Sequence, residues 1–186
     1  AKVIGEGANL GVTQRGRIEF ASAGGRINTD GIDNSAGVNT SDLEVNIKIA
    51  LAGAVRAGTI TREERDRILL DMTDEVATAV LANNHLQTLA ISIDEQRGWA
   101  DLGFQMRLMH TLEQADILDR ALEKLPSDAE IAERRKLRQP LTRPELAVLL
   151  AYAKIGLYAE LSKSPVLDDP YLSRELVNYF PASMRA

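Results

Sequence analysis

The chain has 186 residues, no cysteine and a formal net charge of −5. Disulfides and thiolate metal sites are excluded, and a reducing, cytoplasmic compartment is expected. An acidic balance argues against nucleic acid or an anionic membrane as partner, because phosphate recognition needs a basic face. No apolar run approaches the roughly 20 residues that span a bilayer. Aromatic residues are only 4% of the chain, so the core must come from Leu, Ile, Val and Ala, which suits packed helices.

The sequence opens Ala1-Lys2-Val3-Ile4-Gly5, already inside a strand pattern, and is expected to be a piece of a longer protein. Eight of the thirteen glycines lie before residue 38, which implies tight turns and close backbone approaches. The order expected there is a strand at 2–7, a short helix near 13–22, a strand around 26–29 and a turn through Asp33-Asn34. From about residue 41 the pattern becomes helical. Helix starts with the spacing of a capping box occur at Ser41…Glu44, Thr61…Glu64, Ser92…Glu95, Ser127…Glu130 and Thr142…Glu145. In that arrangement the hydroxyl and the carboxylate satisfy each other's free N–H groups. Pro144 and Asp169-Pro170 fit first helical turns, and Gly58 is placed to stop a helix. Leu146, Leu149, Leu150, Ala153 and Leu157 form one apolar stripe, and Ile68, Leu69, Met72, Val76 and Val80 another. Roughly six helices are expected in the second part. Lys124 to Gln139 is the most polar stretch and should hold an exposed helix and a loop ending at Pro140.

Several residue groups invite a chemical reading. Gly5-Glu6-Gly7-Ala8-Asn9-Leu10-Gly11 follows a strand, but its third glycine falls one residue out of register for a dinucleotide fingerprint. Spacing alone favours a tight turn. Asp33-Asn34-Ser35-Ala36-Gly37-Val38-Asn39-Thr40-Ser41 combines small residues with hydrogen-bonding side chains before a helix, whose free N–H groups would favour an anion. A plain turn with Ser41 as helix cap explains the same letters. His85 and His110 have no partner at metal-ligand spacing. Asp71, Asp74 and Glu75 fit a solvated helix face better than an acid–base pair.

Gly5-Glu6-Gly7-Ala8-Asn9 and Asn34-Ser35-Ala36-Gly37-Val38-Asn39-Thr40-Ser41-Asp42-Leu43-Glu44 resemble the end of the dinucleotide-binding domain of glutamate dehydrogenases. Gly24-Gly25-Arg26-Ile27-Asn28-Thr29-Asp30, the run from Thr142 to Lys154, Asp168-Asp169-Pro170-Tyr171-Leu172 and Tyr179-Phe180-Pro181 resemble the large bacterial NAD-specific branch. The sequence departs from the small-enzyme pattern at Ser35-Ala36, where Ala-Gly is usual.

This resemblance implies a mainly α chain. Residues 1–45 would be the remnant of an α/β, Rossmann-like dinucleotide-binding domain, and 46–186 an all-helical, bundle-like C-terminal domain. It implies oxidative deamination of L-glutamate to 2-oxoglutarate and ammonium with NAD, by a full-length homo-oligomer. Gly7, Ala8, Asn9 and Asn34 would lie at the cofactor, and Ser41 would donate to the substrate's side-chain carboxylate. No metal ligand and no catalytic residue is expected in this chain. The family's lysine, aspartate, phosphate-binding turn and ribose-binding acid would all lie upstream. The competing reading is a non-catalytic helical interaction or assembly module.

Overall fold

The computed structural model describes residues 1–185. They form α1 (Gln14–Ser22), α2 (Asp30–Asp33), α3 (Ser35–Arg56), α4 (Arg62–Asp71), α5 (Thr73–Arg97), α6 (Leu102–Gln114), α7 (Arg120–Glu123), α8 (Asp128–Leu137), α9 (Arg143–Leu161) and α10 (Pro170–Tyr179). Short 3-10 turns occupy Gly98–Asp101, Pro165–Asp168 and Ala182–Met184. The chain is mainly α. From residue 35 on, seven of the described helices have ten residues or more and α7 has four, against the roughly six expected.

The expected strands are reduced to one parallel bridge, Val3 to Arg26. Arg26 N donates to the Lys2 carbonyl and Ile4 N to the Arg26 carbonyl, both at 2.9 Å. The ladder does not continue, and further on Glu6 N–H goes to the Asp33 carboxylate, at 2.9 Å. The turn expected through Asp33-Asn34 is the end of α2, where Asn34 N donates to the Asp30 carbonyl at 2.8 Å.

Capping chemistry accounts for most helix starts. Thr61 with Glu64, Ser127 with Glu130 and Thr142 with Glu145 form the expected boxes, and Asp169 caps α10 ahead of Pro170. After α3, Thr59 N donates to the Ala54 carbonyl at 3.1 Å and Gly58 adopts φ +73°, the left-handed exit that glycine adopts without strain. Two expected starts are absent. Ser41 and Ser92 lie inside α3 and α5. Once a helix is nucleated, each further residue adds a bond, so an internal hydroxyl does not restart it. Ser92 Oγ instead donates to the carbonyl of Thr88, four residues back, at 2.8 Å.

Packing divides the chain into two compact units, residues 1–34 with 86–164, and residues 35–85 with 165–186. The first is centred on Leu102, Met109, Leu112, Ile131, Leu141, Leu146 and Leu149. Helix α9 buries the run from Pro144 to Leu149, on which α1 and α6 pack. Glu145, 1% exposed, accepts from Thr142 N at 2.6 Å and from both terminal nitrogens of Arg134 at 2.8 and 2.9 Å, which ties the start of α9 to α8. In the second unit Ile47, Leu51 and Met72 are buried, with Ile68, Leu69, Val76 and Phe180 against them. The stripe from Ile68 to Val80 therefore runs across the junction of α4 and α5, with Met72 at the joint.

Inside the first unit, Arg17 of α1 bonds both carboxylate oxygens of Glu6, at 2.5 and 3.0 Å, and lies 3.2 Å from Asp30. Glu6 and Arg17 are both at least nine-tenths buried. The Arg17 hydrogen bonds hold the Glu6 carboxyl below its ordinary value, against the opposing effect of burial. The folded state thus favours ionised Glu6. Its contribution is complete above the ordinary glutamate pKa and fades as pH falls through the lowered folded value.

Two stability measurements follow from this packing. Leu102 is fully buried, so Leu102→Ala should cost about 3 kcal/mol in urea denaturation. A cost under about 1 kcal/mol would show that α6 does not anchor the core. Glu6→Gln strands one side of the buried guanidinium and should cost about 3 kcal/mol at neutral pH. Repeating the measurement below about pH 4 should narrow the gap to wild type. A gap independent of pH would remove the ion pair as its cause.

Candidate functional site

The candidate site is built on the loop from Gly5 to Leu10, which has no strand or helix partner for its amides. Carboxylates supply the acceptors. Asp33 takes Glu6 N–H, Asp30 takes Leu10 N–H at 2.8 Å, and Glu6 itself takes Val12 N–H at 2.8 Å. Leu10 adopts φ +57°, a left-handed conformation that is uncommon for a bulky side chain. Its side chain is 83% exposed, so no burial compensates that strain. The hydrogen bond from its amide to Asp30 does. The Asp30 carboxyl is held below the usual aspartate range, chiefly by that bond.

These anchors present the loop outward. Gly7, Ala8 and Asn9 are exposed, and a Cβ placed on Gly5 or Gly7 would meet nothing within 4 Å. The backbone there is open to close approach by a ligand. Asn34, at the end of α2, donates from Nδ2 to Asn9 Oδ1 at 2.7 Å. Two amides 25 residues apart in sequence are thereby brought into contact. Ser41 belongs to the other compact unit. It is an exposed residue of α3, whose first residue is Ser35. The helix-end field expected to favour a carboxylate at Ser41 is therefore centred a turn and a half earlier.

Three of the remaining candidates sit beside polar partners. His110 pairs with the Asp128 carboxylate at 2.9 Å. Glu75 accepts from Ser183 N at 3.2 Å, and Asp71 is an exposed helix residue 3.8 Å from Arg67. Among the described residues no group of three His, Cys, Asp or Glu side chains could hold a metal ion. No helix there is long and apolar enough to cross a membrane.

Glu6, Asp30 and Asp33 stand inside the quoted motifs, but their role as anchors of the loop, and that of Arg17, was not given by motif reading. The one signal in the sequence was Glu6 itself, an acid set between two glycines in a turn that needs acceptors.

A family model described as bacterial NAD-glutamate dehydrogenase, catalytic domain, matches residues 1–94, and one described as glutamate dehydrogenase, C-terminal, matches residues 138–186. The chain is 52% identical over 182 residues to an NAD-specific glutamate dehydrogenase of Pseudomonas aeruginosa. It is 48% identical over 183 residues to that of Halomonas elongata, and 46% identical over 185 residues to that of Mycobacterium tuberculosis. These matches cover 98%, 98% and 100% of this chain. The chain spans 11% of the length of each of these relatives. With similarity along its whole length and a catalytic-domain model over its first half, the chain belongs to the bacterial NAD-specific glutamate dehydrogenase family.

Proposed function

We propose that this chain is the C-terminal part of an enzyme that oxidatively deaminates L-glutamate to 2-oxoglutarate and ammonium with NAD, and that its Gly5–Leu10 loop lies at the nicotinamide end of the cofactor. The observation that carries this reading is the contact between the Asn9 and Asn34 amides. Within the pair, the Asn9 –NH2 and the Asn34 carbonyl oxygen have no hydrogen-bond partner among the described residues. That leaves one donor and one acceptor on the bonded pair, matching in kind a carboxamide, which itself carries one C=O and one –NH2. The open backbone at Gly7 favours close approach of the same group.

NAD supplies the hydride acceptor when bound. The residues of this chain would orient its nicotinamide and perform no bond-making step. Residues 1–45 belong, in this reading, to the dinucleotide-binding domain, with the rest of that sheet upstream. Ser41 is the proposed donor to the substrate's side-chain carboxylate, now on the strength of its exposed hydroxyl alone. Assembly as a homo-oligomer in the cytoplasm belongs to the same reading, and the absence of cysteine in the sequence supports that compartment.

Calorimetric titration of NAD into the isolated chain should give no saturable binding below about 1 mM, since the proposed contacts reach only the nicotinamide end and small ligands gain their affinity from many atoms. In the full-length enzyme, Asn9→Ala should raise KM for NAD about tenfold, the loss of a hydrogen bond to a partner left buried. An unchanged KM for NAD in that variant would overturn the assignment of this loop to the cofactor.

A further inference from the structure

Arg143 lies in the first turn of α9, far along the chain from the loop, yet it is joined to it by side-chain hydrogen bonds. Its side chain is 10% exposed. Nε donates to Asn28 Oδ1 at 2.6 Å. Nη1 donates to Ser92 Oγ at 3.0 Å and to Glu95 Oε2 at 2.8 Å, and Nη2 to the Thr88 carbonyl at 3.3 Å. Three of these four bonds lock the guanidinium on α5. The fourth is directed elsewhere, at the amide of Asn28.

Asn28 passes the constraint on. With Oδ1 engaged by Arg143, its Nδ2 donates to Asp33 Oδ1 at 2.7 Å. Asp33 Oδ2 then accepts Glu6 N–H at 2.9 Å. The two ends of the Asn28 amide are not interchangeable. An amide turned the other way would set –NH2 against a guanidinium and C=O against a carboxylate, two repulsive contacts. Arg143 therefore fixes which way the amide points, the amide fixes Asp33, and Asp33 holds the backbone of the loop at Glu6, three residues before Asn9.

We infer that Arg143 is a positioning residue for the cofactor loop, acting through Asn28 and Asp33 on the backbone at Glu6, so that the helical C-terminal region sets the geometry in which Asn9 meets the nicotinamide. This rests on the cofactor reading of the loop above. It gives the region matched by the C-terminal family model a task in the dehydrogenase reaction beyond packing. Arg143 itself touches neither cofactor nor substrate.

The test uses the full-length enzyme and three variants: Arg143→Lys, which keeps the charge but loses the directed Nε–H; Asn28→Ala, which leaves the bonds of Arg143 to α5 intact; and the double variant. Each single change should raise KM for NAD about fivefold with kcat within about twofold, and the double variant should match the single ones, because residues in one network are not additive. Melting temperature is followed in parallel. A fall in melting temperature with KM for NAD unchanged in both single variants would make Arg143 a structural anchor only and overturn the inference. Additive effects on KM would do the same, since they would mean the two residues act independently. The Asn9→Ala variant separates the two levels. If it leaves KM for NAD unchanged, the cofactor reading fails and takes this inference with it. If it raises KM while the Arg143 and Asn28 variants do not, the positioning role alone fails.

Discussion

Backbone amides that have no helix or strand to bond to must find acceptors elsewhere, and that constraint organises the front of this molecule. In the loop after the single β-bridge three of these donors, at Glu6, Leu10 and Val12, each go to a carboxylate. Gathering Glu6, Asp30 and Asp33 would by itself be costly, because like charges brought together in a poorly solvated place repel. Arg17 is the counterweight. It pairs with Glu6 and Asp30 from the one buried position on α1, which offsets the repulsion between them. The loop is thus shaped by side chains, whereas a strand would have been shaped by its neighbours. Its own exposed side chain at Asn9 bonds the Asn34 amide and anchors none of the loop's main chain.

That division of labour suits a binding loop. A group that must meet a ligand is most useful when its position is fixed by others, so that little freedom is lost on binding. Here the anchors are bonds to main-chain atoms, and the exposed amide pair is free of the scaffold except for its mutual contact. The left-handed conformation of Leu10 fits the same picture. A strained backbone persists only where its surroundings over-determine it, and such places concentrate at functional sites.

The sequence made the second part of the chain far more legible than the first. Caps at Thr61, Ser127, Thr142 and Asp169 are local devices: a hydroxyl or carboxylate with two or three residues of reach, and at Thr142 and Asp169 a proline in the first turn as well. They work the same way wherever the helix ends up. Ser41 and Ser92 carry the same letters and do not cap, because whether a helix has already begun upstream is not written at the cap itself. Helix α3 starts at Ser35, directly after Asn34 closes α2, and runs through Ser41 without interruption. The strands at 2–7 and 26–29 were expected from apolar, glycine-bounded runs. A strand's existence depends on partners that local letters do not specify, and only the Val3–Arg26 bridge forms among the described residues. At the candidate site the residues assigned to ligand contact could be named from a resemblance. Those that hold them could not, since Asn28, Asp33 and Arg143 become neighbours only when α9 is packed.

Composition and packing also partition the chain along different lines. Glycine density falls after residue 37, which suggests a change of domain nearby. The compact unit that contains the loop, however, contains α6 to α9 as well. Helix α1 packs on α9, Gln14 Nε2 donates to the Pro144 carbonyl at 3.2 Å, and Ile32 of α2 joins the core formed by Leu102, Met109 and Leu146. The loop and the helices therefore share one core, and a shared core unfolds cooperatively. A change at Arg143 on α9 has a route to Asp33 and Glu6 through the bonds of Asn28. Helices that carry no reacting group can in this way still govern the geometry of a site on a loop more than a hundred residues upstream.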